Sequence, residues 1–317
     1  MGVRLAASPE ASAEPVRWRC ALVNNMPDAA FGATERQFVG LLEAGSGCAT
    51  VELSRHTMAG IPRGERVRDR IAASYRPLDD IISDPPDLLV VTGSNPIESR
   101  IEDEPYWADL HGLLKWGSEN VPAMVLSCLS AHAGLAVFDG LERTTLPAKC
   151  TGIFAQDVNP AHPLAARLHS PVLLPHSRHN TVPVDAVLDA GYATLLQSEE
   201  VGWSVATKTV GRSDVVLVQS HPEYDPTSLV REYARDVRRY VNHERDELPC
   251  LPTDCVIGTD WERLRRLHTR VIGGERDPSL VAAFPFDEVG ARAPWPWRGA
   301  ALRLYANLLA TIPERSA

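Results

Sequence analysis

The sequence predicts an α/β protein built on a doubly wound, mostly parallel sheet, and three observations carry that prediction. DLLVVTG (87–93) is a continuous apolar run ending in Thr-Gly, the pattern of a strand buried on both faces of a parallel sheet. A second apolar strand, 122–127, follows after a helical stretch at 104–118, and another helical stretch at 129–138 comes next. This strand–helix alternation is the rhythm of a doubly wound sheet, in which ligands sit beyond the carboxyl ends of the strands.

The elements can be justified in chain order. Residues 1–17 are rich in Ala, Ser, Pro and Glu and are expected to be a disordered tail ahead of one domain over 18–317. RCALVNN (19–25) is a short apolar run between polar residues, hence a strand. TERQFVGLLEA (34–44) places Phe38, Leu41 and Leu42 on one helical face, with Thr34 as N-cap and Gly45 as stop. ATVELSRH (49–56) alternates as a strand does, and the next 30 residues read as loop with one short helix. From 148 to 220 strands outnumber helices: KCTGIF, SPVLLP, YATLLQS, GWSVATK and DVVLVQS. Asp225-Pro226 pairs an N-cap with a proline at the first helical position and opens a helix to about 243. Residues 244–295 mix charge, Pro and Gly around a helix at 259–270. The closing ARAPWPWRGAALRLYANLLATI supplies a final helix, pinned to the core by its tryptophans.

Composition excludes several functions. The 317 residues are 44% apolar and 23% charged, as in an ordinary soluble protein. With 32 Lys and Arg against 41 Asp and Glu the net charge is −9, so binding nucleic acid or an anionic bilayer gains nothing from counterion release. Residues 121–138 carry no charge, but Pro122, Ser127, Ser130, His132 and Gly134 interrupt them; a strand, a sharp turn and a helix fit better than a membrane span. Glu10 and Glu14 fall where a signal peptide would be apolar. Six cysteines in so long a chain make no disulfide scaffold. The expectation is a reduced, cytoplasmic protein.

Two places could carry chemistry. Cys128 lies where the strand VPAMVLS meets a helix, facing free backbone N–H groups and the positive end of the helix dipole. Both favour a thiolate and could also hold an oxyanion. The competing reading is a small buried hydrophobe, the usual fate of a free cysteine. QSHPEYD (219–225) follows the buried strand DVVLVQS and sets His221 and Glu223 at its end, with Pro222 between them. An imidazole beside a thiol acts as general base, and a carboxylate on its other nitrogen fixes its tautomer. The bland alternative is a His and a Glu in a polar loop.

Taken together, NNMP (24–27), TERQF (34–38), LLVVTG with Tyr106-Trp107, LSC (126–128), KCTGIF (149–154), PHSR (175–178), HPEYD with Arg235, and the terminal WRGAALRLYANL resemble the homoserine O-acyltransferase family (homoserine O-succinyltransferase type). Its fold is flavodoxin-like, of the class I glutamine-amidotransferase type. Arg235 lies fourteen residues after His221, and a Lys-x-x-Gly begins twenty-one residues after Cys128. Glutaminase relatives have glycines flanking the cysteine, where Ser127 and Leu129 stand here. The resemblance implies Cys128 acylated by an acyl-CoA, His221 as general base and Glu223 as its orienting partner. Backbone N–H groups of Leu129 and of Ser94, after Gly93, would hold the oxyanion. Lys149 and Ser177 or Arg178 would line the acceptor pocket, and the planar fork of Arg235 would clamp the acceptor's carboxylate. The acceptor is homoserine, serine or a related hydroxy amino acid. Acyl-CoA is a co-substrate, and no further cofactor is implied. The family's homodimer stays an open expectation, since its dimerising N-terminal segment is longer.

Departures bear on specificity. Asp28 and Ala29 replace the lysine that follows the family's NxMP segment, and Ser94-Asn95 replace Ala-Pro. Ile97 stands where the family distinguishes acetyl from succinyl donors. Its apolar side chain would leave a succinyl carboxylate unpaired, which favours a small neutral acyl group, while Arg100 nearby could reach a carboxylate. Residues 244–295 depart most and could reshape the acceptor pocket. No metal site is expected: Cys250 and Cys255 are wrongly spaced, and His176 and His179 read as structural or substrate-adjacent. A glutaminase-like amidohydrolase and a non-catalytic binding protein remain alternatives.

Overall fold

The computed structural model describes residues 3–5 and 16–313. The first half alternates: β1 (Val3–Leu5), β2 (Val16–Val23), α1 (Asp28–Ser46), β3 (Thr50–His56), α2 (Glu65–Ser74), α3 (Asp79–Ser83), β4 (Leu88–Val91), α4 (Trp107–Asn120), β5 (Ala123–Ser127) and α5 (Leu129–Asp139). Strands then dominate, with β6 (Thr144–Val158), β7 (Val172–Thr181), α6 (Val184–Asp189), β8 (Ala193–Ser198), β9 (Gly202–Val210) and β10 (Ser213–Val218). The chain closes with α7 (Ser228–Val241), α8 (Gly258–Ile272), α9 (Pro278–Ala283), α10 (Phe286–Ala291) and α11 (Arg298–Thr311).

All the described strands join one sheet in the order β1-β3-β2-β4-β5-β10-β9-β8-β6-β7. From β1 to β10 neighbours are parallel, and β3-β2-β4-β5-β10 is the flavodoxin-like order; β9, β8, β6 and β7 extend the sheet antiparallel. The apolar runs are continuous because both faces are covered. Leu22, Val90, Val125 and Val216 face one core with Leu41 of α1, Val230 of α7 and Leu304 of α11. The alternate residues Val23, Leu89, Met124 and Leu217 face the other core, with Leu113 of α4 and Leu135 of α5. The charge-free stretch 121–138 is thus β5 and α5, and among the described residues no helix is long and apolar enough to cross a membrane.

Several boundaries differ from the sequence reading. The tail expected over 1–17 is not structureless throughout: Val3–Leu5 pairs in parallel with β3, and β2 begins at Val16. Residues 1–2 and 6–15 lie outside the described residues. Helix α1 starts at Asp28, so Thr34 is buried in its interior and caps nothing. Ala29, Ala30 and Ala33 are strong helix formers, and the Asp28 carboxylate closes the start by accepting the Gly64 N–H at 2.7 Å. At the other end the helix passes through Gly45 and stops at Gly47, whose φ is +63°. Helix α7 begins at Ser228, not Asp225; the Asp225 carboxylate accepts from Gln37 Nε2 at 3.2 Å, holding the preceding turn against α1. Residues 57–86 hold two helices, α2 and α3. Trp297 is buried, as a pin should be, but Trp295 lies on the surface under Arg298.

Residues 244–295 are stitched into the sheet side of the molecule. Leu264 and Val271 of α8, Val281 of α9 and Val289 of α10 share the core of α7. Thr253 pairs with Gly152 of β6: the Ile153 N–H donates to Thr253 O at 2.9 Å, and the Thr253 N–H to Thr151 O at 3.1 Å. Gly152 has φ +144°, and a Cβ there would lie 2.6 Å from both Thr253 N and Thr253 O. Only glycine permits that approach. Gly152→Ala is expected to lower stability by roughly 2–4 kcal/mol, combining positive-φ strain with overpacking, read as a fall in the urea midpoint.

Candidate active site

Four strand ends converge where parallel sheets bind ligands. Cys128 is the single residue between β5 and α5, at φ +54° and ψ −112°, a conformation rare for any side chain but glycine. Its N–H donates to Val218 O at 2.7 Å, which completes the β5–β10 pairing and fixes the turn. A strained strand-to-helix elbow of this kind lifts a nucleophile clear of the sheet. The Leu129 N–H opens α5 and so has no partner within the helix. Gly93, after β4, packs against this turn. A Cβ on it would stand 3.2 Å from Cys128 Cβ and 3.3 Å from Leu129 N, so glycine keeps the space before that N–H open.

His221 and Glu223 follow β10. His221 Nδ1 lies 2.7 Å from Glu223 Oε1, and both residues are buried. The turn is braced from three sides. The His221 N–H donates to Pro175 O at 2.8 Å, the Tyr224 ring stacks on the imidazole at 4.2 Å, and Trp297 Nε1 of the last helix segment donates to Tyr224 O at 3.0 Å. His221 Nε2 and Glu223 Oε2 are buried without a hydrogen-bond partner among the described residues. Burial alone would push the imidazole's pKa down, but the Glu223 carboxylate and then Cys128 outweigh it and hold His221 well above 6.5. Cys128 thus shares the cleft with an imidazole that Glu223 orients and whose charged form it favours.

The opposite wall is cationic and held in place by acids. Lys149 Nζ lies 2.8 Å from Asp236 Oδ2 and 3.6 Å from Glu232 Oε2. Arg235 turns Nε and Nη2 onto Asp236 Oδ1, both at 2.9 Å, and Arg245 approaches the same oxygen at 3.9 Å. Burial would raise both carboxyls, but Lys149 and Arg235 overcome it and keep Glu232 and Asp236 ionised below the usual range. The Ser177 hydroxyl donates to Glu232. Arg178 is committed elsewhere: Nη1 donates to Asn180 O at 2.9 Å and Nη2 to Val201 O at 2.6 Å. Of the pair Ser177 or Arg178, only Ser177 belongs to the acidic–basic network.

A cleft of ≈150 Å³ brings together Cys128, Leu129, Ser94, His221, Lys149, Ser177, Arg178 and Arg235. Ile97 is not among its lining; its side chain is 63% exposed, and its backbone N–H is held by Glu104. Arg100 also points outward, 3.6 Å from Glu102 and 3.7 Å from Glu142. The two residues from which the acyl group was read therefore do not enter the cleft. At 28–29, where the sequence lacks the family's lysine, Arg63 lies under the segment with its guanidinium on Met26 O, Asn24 O, Thr57 Oγ1 and, at 3.4 Å, Asp28 Oδ1. Larger hollows of ≈520 Å³ beside α9–α10 and ≈680 Å³ between α1 and α2 hold no nucleophile with a base.

Sequence reasoning missed Glu232, Asp236, Arg245 and Arg143, all at or behind the cleft wall. Glu232, Arg235 and Asp236 are spaced i, i+3, i+4 on one helix, a signal that was present. Arg143 and Arg245 reach the site by chain folding that no local pattern announces.

The sequence model described as homoserine O-succinyltransferase matches residues 3–315. A homoserine O-succinyltransferase of Rhodopseudomonas palustris is 38% identical over 278 residues, 88% of this chain and 83% of that protein. One from Methylorubrum extorquens is 38% identical over 306 residues, covering 96% and 90%. Among solved structures, a glutamine amido transferase from Methylobacillus flagellatus superposes with a TM-score of 0.51 at 16% identity, over 96% of this chain and 98% of that one. That likeness is one of fold.

The coupling of His221 to Glu223 is measurable. Imidazole NMR should show wild-type His221 titrating above 6.5, and Glu223→Gln should lower it, because burial then acts with less opposition. Since the folded pKa is raised, the pair's contribution to stability is full below 6.5 and is lost as pH rises through the raised value. A wild-type His221 titrating at or below 6.5 would contradict this arrangement.

Proposed function

The chain belongs to the homoserine O-succinyltransferase family, and on that premise we propose that it transfers an acyl group, succinyl in the named relatives, from acyl-CoA to the side-chain hydroxyl of L-homoserine. The observation that carries the reading is the buried His221–Glu223 pair set against the Cys128 elbow, with the Arg235–Lys149 wall opposite.

In the proposed reaction the Cys128 sulfur, its proton held on His221, attacks the thioester carbonyl. The oxygen takes the negative charge beside the N–H groups of Leu129 and Ser94. Collapse breaks the bond to CoA sulfur, and His221 protonates the departing thiolate. The now neutral His221 removes the homoserine hydroxyl proton as that oxygen attacks the acyl-enzyme. Expulsion of the Cys128 thiolate releases the O-acyl product and restores the charged imidazole, so each proton taken is returned. Glu223 keeps one tautomer throughout and stabilises the imidazolium.

The acceptor's charges match the far wall. A zwitterionic amino acid brings a carboxylate for the Nη1 edge of Arg235, which Asp236 leaves open, and an ammonium for Glu232. Lys149, Ser177 and Tyr224 hold that carboxylate in place.

Two experiments test the reading. Incubation with succinyl-CoA followed by intact-protein mass spectrometry should give one acyl adduct on the wild type and none on Cys128→Ala. An adduct on Cys150, or none on any cysteine, would remove Cys128 as nucleophile, and thiol release indifferent to homoserine and serine would mean hydrolysis. Arg235→Ala should raise the homoserine KM by about 10- to 100-fold, the worth of one charge-assisted hydrogen bond. An unchanged KM takes Arg235 out of the acceptor site.

A further inference from the structure

One half-buried cation in the cleft has no part in the chemistry above. Arg143 stands just before β6 and lines the same cleft as Cys128, Leu129 and His132. Its Nη2 donates to the carbonyls of Glu98 at 3.3 Å and Ser99 at 3.1 Å, while Nε and Nη1 are buried with no hydrogen-bond partner among the described residues. Among the described residues no carboxylate completes it. Glu104 Oε1 is taken by the N–H groups of Ile97 and Glu98, Glu104 Oε2 is itself unpartnered, and no ion pair within 4 Å joins Glu104 to Arg143. His132 beside it adds no charge, since burial pushes it down to about 4.

The contrast with the other wall is what gives Arg143 a meaning. Lys149 and Arg235 each sit on a carboxylate, as cations taken out of water ordinarily do. Arg143 is desolvated enough for burial to lower its pKa, and the charges that oppose this are Glu104, Tyr106, Glu102 and Cys128, none of them bonded to it. A guanidinium left with unmet donors beside a nucleophile is completed by an anion arriving with the substrate.

We propose that Arg143 recognises a carboxylate at the far end of the acyl chain carried on Cys128, so that it, rather than Ile97 or Arg100, selects a dicarboxylic monoacyl donor. The assignment rests on the acyl-CoA reading above and adds the residue that discriminates between donors.

The test compares succinyl-CoA with acetyl-CoA, homoserine being the acceptor in both. Both donors carry the same CoA, so a contact from Arg143 to CoA phosphate, or to the acceptor's carboxylate, cancels in the ratio of their kcat/KM values. The wild type should favour succinyl-CoA, and Arg143→Met should lower the succinyl-to-acetyl ratio by about a hundredfold, as expected for losing a charged hydrogen bond. Equal falls with both donors would mark Arg143 as a mere clamp on the 98–99 loop and overturn the proposal, as would a wild type that prefers acetyl-CoA. Arg143→Lys guards against a misfolded Met variant: its ratio should fall by about tenfold, charge being kept and the planar group lost, and an unaltered ratio is equally fatal. A wild type that is acylated by neither donor defeats the transferase reading as well, which separates the two failures.

Discussion

The pairing of β5 with β10 is the constraint on which the site depends. Ser127 stands opposite Val218 at the last paired position, and the Cys128 N–H reaches Val218 O. Two chain segments ninety residues apart in sequence therefore end side by side, one turning at once into a helix through Cys128, the other continuing three residues to His221. Parallel strands make this alignment possible because both deliver their carboxyl ends to the same edge. A one-residue slip would turn every apolar side chain of β10 to the wrong core and carry His221 away with it. The catalytic geometry is thus enforced by the same side-chain alternation that fills the two hydrophobic cores.

Charge is organised on a second level. A chain with net charge −9 presents a basic cleft by spending two of its acids, Glu232 and Asp236, in holding cations. Those carboxylates fix the long side chains of Lys149 and Arg235, so their rotamer freedom is already given up in the folded chain. The wall is consequently organised in advance and close to balanced. Arg143, across the cleft, is neither.

Much of this was legible in the residues. Continuous apolar runs at 87–91 and 123–127 disclose a sheet covered on both faces, and the abrupt passage from VLS to a helical pattern discloses the elbow. The His-Pro-Glu sequence gains its force from following a buried strand. What escaped reading depends on tertiary neighbours. Asp225-Pro226 has the composition of a helix start, yet Asp225 is drawn to Gln37 of α1 and the helix begins later. Thr34 looks like a cap because threonine favours helix starts, but the alanines before it carry the helix backward. The place of Ile97 in the linear pattern suggests a part in donor choice, but the loop anchored by Glu104 leaves it exposed to solvent. Arg143 sits in a stretch with no periodicity, where only the folded chain shows which of its donors lack partners.

The backbone pairing of Thr253 with Gly152 joins residues 244–295 to the strand that carries Lys149. That region also supplies Arg245 to the acceptor wall, whereas Arg143 and the Ser94 loop belong to the opposite, sheet-derived side. Any change within residues 244–295 is therefore confined by glycine at 152, by the two backbone hydrogen bonds across it, and by the apolar side chains this region shares with α7.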